Sequence, residues 1–124
     1  MKQKTINLGE VKMTFTTDPS ESKWGWGEVN LASATWKGHD LFLGSKLDEW
    51  GSCEPNVNFT AVLHDLYQYF RWNRDELDLL YNEGFDAVNA RTQECLHCLA
   101  RHIEAAVRYR LDLPIYIQRL LAQQ

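Results

Sequence analysis

In "VKMTFTT", residues 11–17, apolar Val11, Met13 and Phe15 alternate with polar Lys12, Thr14 and Thr16. Period two is the mark of a strand with one face in a core. "KTINL" precedes it across Gly9, which predicts a short hairpin. "DPSE", residues 18–21, places Asp and Pro at the first two positions of a type I turn. Beyond it, "WGWGEVNLASATW" carries Trp24 and Trp26, then Val29 and Leu31, then Ala32, Ala34 and Trp36. The parity slips between Trp26 and Val29, and Gly27 is a natural seat for a bulge that would cause it. "KGHD" reads as a second turn and "LFLG" as a further strand, which completes an antiparallel meander of three to four strands over residues 3–45.

From Val57 the period changes. Phe59, Val62, Leu63, Leu66 and Phe70 follow the i, i+3, i+4, i+7 rule, and Thr60, His64, Asp65, Gln68 and Arg71 take the opposite side, predicting a helix over 57–72. In "WNRDEL", Asn73 is placed as N-cap and Glu76 as its reciprocal partner, with Trp72 and Leu77 as a flanking staple, predicting a second helix over 74–83. Gly84 suits the left-handed position that ends it. A third helix is predicted over 86–111, and Pro114 opens a fourth over 114–122. Strands first and helices after define an α+β fold, expected as one domain over residues 1–124 with the helices packed against the sheet.

Composition adds to this picture without changing the class. With 124 residues, 44% of them hydrophobic, and five each of Trp, Tyr and Phe, the chain can build its own core. "MKQKTINLGE" has lysines but no apolar stretch or small-residue cleavage site behind them, and no apolar run nears the roughly 20 residues that cross a bilayer. Three cysteines, Cys53, Cys95 and Cys98, are an odd number, which favours reduced thiols over a disulfide framework. These readings place the protein in the cytoplasm, without a membrane partner.

Charge is unevenly spread. The net of −4 conceals a middle segment, residues 47–86, in which nine acids face only Arg71 and Arg74, a local net of −7. Such a segment repels a phosphate backbone, so direct nucleic-acid binding is not expected, whereas a basic protein is attracted. Aromatics with polar tips stand among these acids. Asp65, Tyr69, Trp72, Asp75, Glu76, Asp78 and Tyr81 are therefore the candidate partner-binding residues, since interfaces favour Tyr and Trp anchors with complementary charge around them.

Candidate chemistry concentrates in "ECLHCLARH", residues 94–102. At about 100° per residue, Leu99, Val88 and Ala106 fall within about 40° of Cys95, His102 within about 20°, and Cys98 about 60° away. The arithmetic turns Cys95 and His102 into the core and puts His97, Arg101, Glu104 and Arg108 on the far side. Cys95, Cys98 and His102, with Cys53, are the donors of an alternative reading, a zinc-binding or cysteine-dependent enzyme. On a straight helix three such donors are strung over about 10 Å, which opposes convergence on one ion. Cys53, in "GSCEP" ahead of a helix, is the better nucleophile. No glycine-rich phosphate loop, HExxH or GxSxG occurs, so no metal, cofactor or catalytic residue is assigned. "WGWG" offers a third possibility, a ring platform for small ligands if Trp24 and Trp26 are exposed. The preferred reading is a non-enzymatic module, an inhibitor or regulator that occupies a basic, nucleic-acid-handling surface of a partner protein.

Overall fold

The computed structural model describes residues 2–18, 25–26, 29–41 and 59–112. The chain is an N-terminal antiparallel sheet followed by helices, an α+β arrangement. β1 (Gln3–Leu8) and β2 (Val11–Thr16) form the predicted hairpin, paired from Gln3↔Thr16 to Leu8↔Val11. Its two-residue turn has Gly9 first, at φ 61°, where a side chain would be strained and glycine is not. Thr5 and Thr14 face each other across this pair, their hydroxyls 3.0 Å apart.

β4 (Val29–Trp36) pairs with β2, and its other edge takes β3 (Gly25–Trp26) at one end and β5 (His39–Asp40) at the other. Two details differ from the sequence reading. A register slip not expected from the sequence lies between Leu31 and Ser33, where Thr14 and Phe15 of β2 face Ser33 and Leu31 and leave Ala32 as the extra residue. That bulge keeps Val29 and Leu31 on the same buried side as Ala34; Gly27 lies outside the described residues. The second turn is Lys37–Gly38 alone, with φ 50° and 80°, the paired positive angles of a type I′ hairpin. His39 and Asp40 are therefore strand, and Leu41, whose N–H donates to the Ala34 carbonyl at 2.9 Å, closes the sheet as a fully buried residue. The rest of "LFLG", the "DPSE" turn beyond Asp18 and the helix expected over 114–122 lie outside the described residues.

The helices are α1 (Phe59–Trp72), α2 (Arg74–Asn82) and α3 (Ala90–Asp112), with a 3₁₀ turn at Phe85–Ala87. α1 buries Leu63, Leu66, Tyr67 and Phe70, and α2 buries Leu77, Leu80 and Tyr81. Gly84, at φ 103°, stops α2 as predicted, its N–H reaching the carbonyls of Leu79 and Leu80 at 3.1 Å.

The third helix starts four residues later than the sequence suggested. Phe85 and Asp86 belong to the 3₁₀ turn, and Asn89 is the effective N-cap, its side-chain oxygen accepting the Thr92 N–H at 2.8 Å. The buried side of α3 is also turned from the predicted one: Thr92, Leu96, Leu99, Ala100, Ile103, Ala106 and Val107 are inside, while Cys95, Cys98 and His102 are only half-buried. Four large aliphatics set the stripe, and the smaller thiols take its flank. α3 is the common partner in the fold, packing on β2 and β4 of the sheet and on α1, while α2 touches α1 and β1.

Candidate functional site

Asn73 divides α1 from α2, and its local chemistry shapes the surface at the elbow. Its carbonyl accepts the first bonds of α2, from Glu76 N–H at 3.1 Å and Leu77 N–H at 3.3 Å, as an N-cap residue must. Its side chain, however, turns back, and Nδ2 donates to the Tyr69 carbonyl at 2.8 Å. The reciprocal capping pair with Glu76 is therefore not formed, and the Trp72–Leu77 staple is not formed either, because Trp72 is 81% exposed.

Glu76 has another use. It is 9% exposed, and its Oε1 accepts the Asn89 N–H at 2.7 Å and the Thr92 hydroxyl at 3.0 Å. Since the Thr92 proton is given to Glu76, the Tyr69 hydroxyl is the donor in its 2.6 Å contact with Thr92 Oγ1. One carboxylate thus joins α2 to the N-terminus of α3, and Tyr69 ties in α1, with Arg91 over its ring at 5.8 Å. A negative charge suits that place, where N–H groups point outward and the helix dipole is positive.

The seven candidate partner-binding residues consequently divide. Asp65, Trp72, Asp75 and Asp78 are exposed; Tyr69 is half-buried and hydrogen-bonded; Glu76 and Tyr81, at 9% and 7% exposure, belong to the interior. A sequence cannot show that a capping glutamate will be drawn into a bond thirteen positions away. Leu79, 37% exposed on the outer face of α2 with Asp75 and Asp78, joins the exposed group and was not among the candidates. Its signal was present in the sequence: it stands four positions after Asp75 and out of step with Leu77 and Leu80.

Electrostatically the elbow is acidic. Among the described residues, the side chains of Asp65, Asp75 and Asp78 make no ion pair or hydrogen bond, and neither does that of Arg71, although all four are exposed. Residues 59–86 carry Asp65, Asp75, Glu76, Asp78, Glu83 and Asp86 against Arg71 and Arg74.

The cysteine and histidine cluster has a different geometry from a catalytic pair. His102 Nδ1–H donates to the Cys98 carbonyl one turn back at 2.8 Å, and the Cys98 sulfur lies 3.9 Å from the same nitrogen. The ring nitrogen nearest the thiol thus carries a proton and is occupied by the backbone, so it does not serve as a base toward Cys98. Burial pushes the Cys95 thiol above the ordinary cysteine range, opposed by Arg91 and assisted by Cys98 and Glu94. His97, on the outer face as predicted, meets the Phe85 ring edge-on at 5.5 Å. No group of three or more His, Cys, Asp or Glu side chains among the described residues is arranged to hold a metal ion. Cys53 and Trp24 lie outside the described residues, and for Trp26 only the backbone, paired with Val29, is described. No helix among the described residues is long and apolar enough to cross a membrane. No protein-family model, curated protein or solved structure matches this chain.

Proposed function

We propose that this protein is a non-enzymatic binding module whose acidic elbow, between α1 and α2, covers a basic surface of a partner protein in the cytoplasm. In its most specific form the module is an inhibitor or regulator that sits where the partner handles nucleic acid, its carboxylates standing in for phosphates. The observation that carries the reading is Trp72, 81% exposed at the end of α1, three residues ahead of Asp75 in the first turn of α2, whose carboxylate, like that of Asp78, has no partner among the described residues. A large ring in water gains by burial against another surface, and unpaired carboxylates select a cationic one. Cys95 and Cys98 are both free, which suits a reducing compartment.

The test is charge reversal restricted to exposed positions. Asp75→Lys with Asp78→Lys should weaken binding to an arginine- or lysine-rich protein by about tenfold or more while moving the melting temperature little, because both carboxylates are exposed and Asp75 gives up only the small benefit of an acid in the first turn of α2. Glu76 is left out, since reversing it would break the core. Undiminished affinity after the double reversal would refute the proposal.

A further inference from the structure

We infer that the elbow takes an arginine of its partner, the guanidinium lying on the Trp72 ring and paired with Asp75 or Asp78; the inference rests on the binding role proposed above. Three cation–ring contacts are present among the described residues. Arg91 lies over Tyr69 at 5.8 Å, and Lys37 and Arg108 lie over Trp36 at 4.8 and 5.7 Å. Trp72 has no such cation among the described residues, although Arg71 precedes it in the chain. Its ring is open on an exposed helix end, and Asp75 follows three residues later in the first turn of α2, with Asp78 on the same face.

Two other modes of using an exposed tryptophan fit less well. Insertion into an apolar pocket would bring the unpaired carboxylates of Asp75 and Asp78 toward a dry surface, where uncompensated charge is strongly disfavoured. Stacking on a nucleic-acid base would bring a phosphate backbone against the same acids. A guanidinium satisfies both components at once, being planar and weakly hydrated enough to stack on indole while its N–H fork binds a carboxylate. Lysine, a compact and strongly hydrated charge, satisfies chiefly the carboxylates. Trp72 should therefore read the difference between the two cations, and the aspartates their shared charge.

The experiment compares two capped nonapeptides, one alternating arginine with glycine and its lysine counterpart, titrated calorimetrically into the full chain. Wild type should hold the arginine peptide about fivefold tighter, and Trp72→Ala should bring the two within about twofold, chiefly by loosening the arginine peptide. Asp75→Asn with Asp78→Asn should weaken both peptides by a similar factor. Circular dichroism confirms that the variants are folded, as the exposure of all three positions leads one to expect. Equal affinities in wild type, or an arginine preference that survives Trp72→Ala, would overturn the stacking inference while leaving the acidic docking surface in place. If neither peptide binds, or if the asparagine variant binds both as well as wild type, the binding role falls and the inference with it.

Discussion

Cys95 shows what a flank position does to a thiol. Placed beside Leu96 and Leu99 but not among them, it is partly desolvated, and burial holds its pKa above the ordinary value of 9.0 despite the opposing Arg91. The folded chain therefore keeps the Cys95 proton at a pH where the unfolded chain has begun to release it. With more protons bound in the folded state, stability falls as pH rises through the unfolded pKa and toward the folded one. The contribution is complete at neutral pH and is lost in the alkaline range, as pH rises through the ordinary value of 9.0 and on toward the folded one. Denaturant midpoints measured between pH 7 and 10 should accordingly decline more steeply for wild type than for Cys95→Ala, and parallel curves would count against the account. The cysteine cluster itself was visible in the sequence, but its orientation was not. Angular arithmetic centred on Cys95 treated the thiol as the middle of the apolar stripe, whereas Leu96, Leu99, Ile103 and Val107 bury more surface and rotate the helix toward themselves.

At the scale of elements, the periodicities that proved legible were those repeated over a whole strand or helix. Val11, Met13 and Phe15 identified β2, and Leu63, Leu66 and Phe70 identified α1, because each set of equivalent positions is apolar without exception. Ala32 and Ala34 were less informative, since alanine fits either face of a sheet, and the irregularity at Ala32 was not read from the sequence. The junctions between helices were harder still to read, because they are settled by long-range hydrogen bonds. Asn73 has the composition of a capping box, but Glu76 obtains two bonds at the start of α3, from a backbone N–H that would otherwise be an orphan and from Thr92. That network is the joint of the helical half. Glu76→Ala should strip the Asn89 N–H and the Thr92 hydroxyl of their acceptor and cost about 2–4 kcal/mol, whereas Glu76→Gln, which keeps an acceptor and loses the charge, should cost about 1 kcal/mol. Chemical denaturation of the two variants measures the ratio, and near-equal losses would mean that the charge, not the hydrogen bonds, carries the joint.

In the molecule as a whole, the helix that packs most broadly on the sheet is not the one that carries the exposed elbow. α3 touches the sheet through β2 and β4 and also touches α1, with Leu96, Leu99, Ile103 and Val107 fully buried. Asp65, Asp75, Asp78 and Trp72 are exposed instead on α1 and α2, at the elbow that the Glu76 network holds against the start of α3. Removing a side chain from α3 should then loosen sheet and helices together, because no described element of the helical half reaches the strands of the central sheet as broadly as α3 does. Leu99→Ala should lower stability by about 2–5 kcal/mol, the span for emptying a fully enclosed leucine site. Far-ultraviolet circular dichroism, which follows the helices, should lose its signal at the same denaturant concentration as an amide-exchange or NMR probe placed in β2 or β4. Separated transitions would show that the sheet stands without α3 and that the chain folds as two units. Coincident ones, with peptide binding by the elbow retained below the midpoint, would show one cooperative core presenting a contact surface that contributes little to its stability.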